Sequence, residues 1–184
     1  MSEQLPSRRK ALQLLKKSGC SGQVIQHCRV VATLATEIAE KCQKKGFNVD
    51  VELVQISALL HDIGRAKTHS VHHAIVGAKI AESAGLPNSI VRIIERHVGG
   101  GIDREEAEKL GWPPKSYIPQ TLEEKIVAYA DKQIEGTRRV AVERTIEKLS
   151  KELGENHPSI KRLRKLHKEF LSFIGDFNGD SYLT

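Results

Sequence analysis

Six side chains in this sequence share one chemistry. His27, the adjacent pair His61-Asp62, His73, His97 and Asp131 could each give a metal ion one nitrogen or one oxygen. The pair carries the most information. An imidazole beside a carboxylate, after the apolar Leu59-Leu60 and before Ile63-Gly64-Arg65, has little structural use. Together they supply two ligands to one ion, and imidazole with carboxylate suits Mn²⁺, Fe²⁺, Co²⁺, Ni²⁺ or Zn²⁺ better than Mg²⁺. Such a pair also arises by chance, as an ordinary hydrogen-bonded His next to an exposed Asp. The other candidates weigh against that.

The elements that must position them read as helices. Over Val51 to Leu60 the apolar spacing puts Leu53, Ile56, Leu60 and Ile63 on one stripe, with Asp50 as N-cap and Gly64 just past the end. His61 and Asp62 then fall in the last turn, where a carboxylate opposes the helix dipole unless a cation compensates. Ser21 to about Lys45 predicts an amphipathic helix with Val24, Val31, Leu34, Ala35 and Ile38 on its buried side. His27 lies on that side, where a lone His is more often a satisfied core residue than a ligand.

Thr121 to Asp131 opens on a capping box, Thr121 with Glu124, and sets Asp131 between the apolar Val127 and Ile134. A carboxylate there is costly unless it is paired or binds metal. A further helix from His73 ends near Gly85, with His73 and Gly77 sharing a face. The missing side chain at Gly77 admits another backbone or a substrate. The next helix starts at Pro87, carries Ile90, Val91, Ile93 and Ile94, and ends at His97 before Gly99-Gly100-Gly101.

In this order, His27, His61-Asp62 and Asp131 match the H…HD…D signature of the HD-domain metal-dependent phosphohydrolase superfamily. Leu59 to Arg65 resembles its central motif closely, including Gly64 and the basic residue after it. The resemblance covers roughly His27 to Arg138 and implies an all-α fold, a single HD-domain helical bundle. It also implies that these four residues hold one divalent ion. Dinuclear branches place extra histidines at comparable positions, one of them in a His-x-x-x-Gly setting. By that resemblance Asp62 bridges two ions, and His73 and His97 hold the second.

The departures matter. The cyclic-dinucleotide branch carries a Gly-Tyr-Pro element and adjacent histidines, whereas Val98-Gly99-Gly100-Gly101 follows a single His97 here. That argues against cyclic-dinucleotide cleavage and leaves the second ion with fewer protein ligands. Ser116 to Gly136 is more similar to the bacterial branch that cleaves dinucleoside tetraphosphates symmetrically.

The activity implied is hydrolysis of a phosphate ester or anhydride of a nucleotide-like substrate by metal-activated water. Asp62 is the shared ligand. Arg65 is the first choice for a cation on the phosphoryl oxygens, then Lys67, then Arg138. No general acid for the leaving group stands out. Three rivals remain at this point: a module that holds metal and nucleotide without turnover, an oxygenase with a mixed-valent di-iron centre, and an RNA-binding protein with a vestigial site.

The 184 residues suit one domain, 1–184, with the motif core in 21–138 and basic helices in 139–175. No apolar stretch reaches the length of a membrane span, so neither a span nor a secretory signal is expected. Cys20, Cys28 and Cys42 lack metal-knuckle spacing and fit a reducing cytoplasm. Oligomeric state is left open by the sequence.

Net charge is +6, and residues 136–169 hold ten Lys/Arg against five Asp/Glu. That balance admits acidic partners such as RNA. Aromatics make up 4% of the chain and do not interleave with these charges, so a solvated helix face is the more ordinary reading. Val98 to Gln120, rich in Gly and Pro around a short Asp103–Leu110 helix, reads as a lid or substrate-shaping loop. His69, His72, His157 and His167 read as surface residues.

Overall fold

A computed structural model describes residues 4–175 of the chain. Among them the fold is all-α, as expected. The helices are α1 (Arg8–Ser18), α2 (Gly22–Lys44), α3 (Val51–Leu60), α4 (His73–Ser83), α5 (Asn88–Arg96), α6 (Arg104–Lys109), α7 (Leu122–Asp131), α8 (Val142–Leu153) and α9 (Pro158–Ile174), with a 3₁₀ turn at Ile63–Ala66. A small antiparallel hairpin, β1 (Ile134–Glu135) and β2 (Arg138–Arg139), follows α7. The ends of the 1–184 domain expectation lie outside the described residues.

The caps explain the boundaries. Ser21, Asp50 and Thr121 each accept a hydrogen bond from the backbone N–H three residues on, starting α2, α3 and α7. At α7 the Glu124 side chain also returns to the Thr121 N–H, so the predicted capping box is complete. Asp103 and Glu106 close a second box at α6.

Long α2 is the axis of the bundle. It packs on α3 and α7 through Cys28, Val31, Ala35, Ile38 and Cys42, all fully buried. Each large aliphatic buried this way contributes about 1.5–3 kcal/mol, so the core holds the site-bearing helices in one register. α1, α5 and α9 complete the main cluster with Leu15, Ile94 and Phe170.

Residues 98–120 are tied down more firmly than the predicted lid. An isolated bridge pairs Ile102 with Tyr117, and Ala74, Ile102, Ala107, Trp112 and Tyr117 form a second apolar cluster. Buried Glu95 accepts from Lys115 at 2.9 and 3.0 Å, pinning the segment to α5. α1, the hairpin and the 3₁₀ turn are elements beyond those expected.

One expectation is corrected. Gly64 is not a left-handed residue closing α3; it belongs to the 3₁₀ turn and has no positive φ. Its value is close approach. A Cβ there would stand 1.9 Å from the His73 carbonyl oxygen and 2.6 Å from the Gly77 nitrogen. Gly77, which the sequence assigned to an approaching backbone or a substrate, receives this same Gly64 backbone. The two glycines thus let α4 cross the 3₁₀ turn at backbone distance and bring His73 to the Asp62 side.

Candidate metal centre

All six predicted ligands come together. His27 comes from the second turn of α2, His61 caps the C-terminus of α3, and Asp62 starts the 3₁₀ turn. His73 opens α4, His97 caps α5, and Asp131 ends α7. Five of the six therefore sit at helix ends or starts, where a side chain can leave the ridge pattern and point inward.

The histidines share one arrangement. Each Nδ1 is spent on a backbone carbonyl: His61 on Ala58 at 2.6 Å, His73 on Ser70 at 2.7 Å, His97 on Ile94 at 2.7 Å and His27 on Gly136 at 2.7 Å. Donation from Nδ1 fixes the tautomer and leaves Nε2 as a free lone pair. All four Nε2 atoms turn toward Asp62.

Asp62 divides them. Its Oδ2 lies 3.8 Å from both His27 Nε2 and His61 Nε2, and its Oδ1 lies 3.1 Å from His73 Nε2 and 3.4 Å from His97 Nε2. Asp131 Oδ1 joins the first group, 3.1 Å from His27 Nε2 and 3.3 Å from His61 Nε2. The two oxygens of one carboxylate thus meet two ligand sets, with His61 near both. The donor atoms of His27, His61 and Asp131 lie within 4.8 Å of one another, as do those of His61, Asp62 and His97.

This crowd is poorly satisfied without a cation. His61 Nε2 and Asp62 Oδ1 are buried with no hydrogen-bond partner, which costs about 1–3 kcal/mol for each such group. His73 Nε2 and His97 Nε2 stand 3.0 Å apart. Two nitrogens at about 2.0–2.1 Å from one ion, at right angles, would be about 3 Å apart. The donor set fits a divalent metal.

Electrostatics point the same way. Burial opposes ionisation of Asp62, yet the positive charge of His61 and the nearby His73 and His97 imidazoles hold its carboxyl well below the usual range. Burial likewise opposes charge on Asp131, and Lys132 with His27 and His61 overrides it downward. Burial also works against a proton on His61, but the Asp62 and Asp131 carboxylates push its pKa well above the ordinary value. His97 is pushed down to about 4, first by burial and then by the neighbouring imidazoles. One cluster therefore keeps two carboxylates charged while making at least one imidazole neutral.

The predicted cations fare differently. Arg65 is bonded to the cluster, Nε to Asp62 Oδ2 at 2.5 Å, with Nη1 on the His69 carbonyl at 3.3 Å. Lys67 and Arg138 are exposed, and among the described residues neither side chain bonds to the six. Lys132 was missed. It is mostly buried, and its Nζ donates to Asp131 Oδ2 and, at 3.2 Å, to the His97 carbonyl. Its signal was adjacency to Asp131 at the end of a helix whose last carboxylate was already suspect. Gly136 was missed too, because a backbone carbonyl that orients a histidine leaves no trace in side-chain patterns.

The histidines set aside lie elsewhere. His72 accepts from Trp112 Nε1 at 2.8 Å, and His157 caps α9 through the Ser159 N–H. His69 is exposed. His167 is not a surface residue: it is half-buried, stacked on Tyr129 and bonded to its hydroxyl at 2.9 Å.

The family model for the HD domain matches residues 24–133, a span that holds all six cluster residues. The chain belongs to the HD-domain family. A relative in Methanocaldococcus jannaschii, an uncharacterised protein, is 52% identical over 90% of this chain and 97% of its own. A Thermoplasma volcanium protein named tRNA (cytidine(56)-2'-O)-methyltransferase is 41% identical over 93% of this HD chain, which spans 48% of that relative's length. A ribonuclease Y of Chloroflexus aurantiacus is 34% identical over 92% of this chain and 28% of its own. The crystal structure of the Listeria monocytogenes phosphodiesterase PgpH HD domain with cyclic-di-AMP superposes with a TM-score of 0.56 at 17% identity, covering 91% of this chain and 98% of that one. At that identity the likeness speaks for the HD fold alone. No helix among the described residues is long and apolar enough to cross a membrane.

Proposed function

We propose that this HD domain is a metal-dependent phosphohydrolase that cleaves a phosphate ester or anhydride of a nucleotide-like substrate. One observation carries the reading. Four histidines spend Nδ1 on backbone carbonyls and turn Nε2 onto the two oxygens of a single buried carboxylate. His27, His61, Asp62 and Asp131 would hold one divalent transition-metal ion (Mn, Fe, Co, Ni or Zn), and Asp62, His73 and His97 would hold a second. Ions held there supply a more acidic water and neutralise phosphoryl charge.

The chain's own groups do the positioning. Asp62 ties both ligand sets together. Arg65 and Lys132, each already on a site carboxylate, are placed to meet phosphoryl oxygens. Lys67 and Arg138 serve as outer contacts for a longer substrate. Relatives named ribonuclease Y support phosphoester chemistry. The single His97 before Gly99-Gly100-Gly101 supports a linear rather than a cyclic substrate. The three free cysteines fit a reducing cytoplasm.

The test is hydrolysis of a panel by the metal-loaded chain: bis-p-nitrophenyl phosphate, diadenosine tetraphosphate, a linear dinucleotide and a short RNA. Turnover on at least one member is expected, and Arg65→Ala should lower kcat/KM by about 10²-fold, the scale of one lost electrostatic donor. Arg65→Lys should recover only part, since an ammonium lacks the planar fork. Full metal with no turnover on any member would leave a binding module. An Arg65→Ala variant that melts lower but keeps its kcat/KM would reduce Arg65 to a tether of Asp62.

Nuclearity has its own measurement. His73→Ala and His97→Ala should each lower the bound metal from near two to near one per chain while the circular dichroism spectrum is retained. A wild-type ratio of one that neither change alters would remove the second site.

One observation favours a further, RNA-associated reading. The HD chain matches about half the length of relatives named as tRNA methyltransferases, 41% and 40% identical. A domain carried beside such an activity works in the presence of folded RNA.

A further inference from the structure

We propose that a basic groove between α1 and α2, opening away from the metal centre, docks the phosphate backbone of folded RNA. This rests on the RNA-associated reading and adds the surface. The groove encloses about 550 Å³ and is lined by Arg8, Arg9, Leu12, Gln13, Lys16 and Arg29. Arg29 is two residues past His27, about 200° around the helix at 3.6 residues per turn. His27 thus faces the cluster, and Arg29 faces outward.

Three observations converge on a polyanion. First, residues 4–36 hold six Lys/Arg and no Asp or Glu. The C-terminal basic stretch is interleaved with acids and partly neutralised: Arg144 and Lys148 pair with Glu135, and Arg162 with Asp103 and Glu106. Lys161, Arg164 and Lys165 form no ion pair with a carboxylate among the described residues, which makes them the matched comparison for the groove. Among the described residues, none of the four groove cations forms an ion pair with a carboxylate. Second, Arg8, Arg9 and Lys10 fill the first turn of α1, which contains no acidic residue. That is the positive end of the helix dipole, where cations are disfavoured and anions welcome. The helix accepts a local penalty that an external phosphate would remove. Third, the groove is open to solvent and bordered by residues over two turns of α1, rather than closed around a small ligand.

The lining chooses among polyanions. No aromatic residue borders it, so single-stranded bases have nothing to stack on. On α1, Ala11 and Leu15 are buried in the core and Leu12 and Leu14 are partly buried against it, which leaves no broad apolar face to enter a lipid surface. A protein partner would want a buried aromatic or aliphatic anchor. Cations without stacking groups suit the phosphates of a structured RNA, recognised by shape and backbone.

The experiment measures binding of a fluorescein-labelled tRNA transcript to the full chain between 50 and 200 mM KCl. Arg9→Glu/Lys16→Glu/Arg29→Glu is compared with Lys161→Glu/Arg164→Glu/Lys165→Glu, which changes net charge equally. The groove variant should bind at least roughly tenfold more weakly, and its slope of log K against log salt should shrink by about 3, near one unit per lost phosphate contact. The C-terminal variant should stay within about threefold of wild type, and both should keep wild-type metal content and melting temperature. Equal losses in the two variants, or an undiminished groove variant, would overturn the groove while leaving RNA association standing. Oligo(U) or anionic vesicles bound as tightly as the transcript would overturn the choice of folded RNA. A wild-type chain that binds no transcript at 50 mM KCl would overturn both the groove and the reading beneath it.

Discussion

Asp62→Asn should yield protein almost free of divalent metal, with hydrolysis at background. Asparagine keeps the shape and one carbonyl oxygen but removes the charge that both ligand sets share. In the structure Oδ2 faces His27 and His61 and Oδ1 faces His73 and His97, so this one change strips charge from both sides. Losing a group that merely orients a ligand costs 10- to 100-fold in metal affinity; loss of the bridging ligand itself should cost more than about 100-fold. Elemental analysis after extensive dialysis reads this directly. The fold has a separate readout, because Asp62 also accepts from Arg65. The variant's melting temperature should be compared with that of metal-stripped wild type, which isolates the lost ion pair from the lost metal. Wild-type metal content in Asp62→Asn would sink the assignment of the whole centre. Metal retained at one equivalent would sink only the bridge.

The parts of this molecule that were legible in sequence are those governed by periodic burial and by local caps. α2, α3, α5 and α7 were marked by apolar stripes and by Ser21, Asp50 and Thr121, and a buried carboxylate such as Asp131 stood out because burying charge needs a reason. What escaped was set by contacts between distant segments. Gly64 and a helix-terminating glycine look alike in sequence; only the carbonyl of His73, packed against it, tells them apart. The Gly136 carbonyl that orients His27 is backbone, 109 residues away in sequence. The strands around it are two residues each, too short for any alternation to register. Lys132 reads as one more surface charge until α7 is seen to end against His97. The basic balance of the C-terminal helices was visible, but the pairing of Arg144, Lys148 and Arg162 with Glu135, Asp103 and Glu106 was not. The cation-only N-terminal stretch went unread, because without α1 its charges share no face.

Gly64→Ala should be the most damaging single methyl that can be added near the centre. The new Cβ would sit 1.9 Å from the His73 carbonyl oxygen and 2.6 Å from the Gly77 nitrogen. Both neighbours are backbone, so no rotamer change relieves the clash. Either the 3₁₀ turn or the first turn of α4 must move. Overpacking a well-packed interior costs about 1–3 kcal/mol and sometimes more, and a backbone collision belongs at or above the upper end. The gain from replacing Gly with Ala in helical backbone, about 1 kcal/mol, offsets only part of it. At about 2–4 °C per kcal/mol for a chain of this size, the melting temperature should fall by roughly 5–10 °C. The damage should also be directional, because the carbonyl struck is that of His73, whose Nε2 faces Asp62 Oδ1. Metal content should therefore drop toward one equivalent before the fold is lost. Gly77→Ala is the internal control. Its Cβ would meet the Ile94 Cγ2 at 2.9 Å and the Gly64 nitrogen at 3.1 Å, contacts about 1.0 and 0.5 Å longer than those at Gly64. It should cost less than half as much. A Gly64→Ala protein that melts within 2 °C of wild type, with both equivalents of metal, would show that α4 does not depend on this crossing to deliver His73.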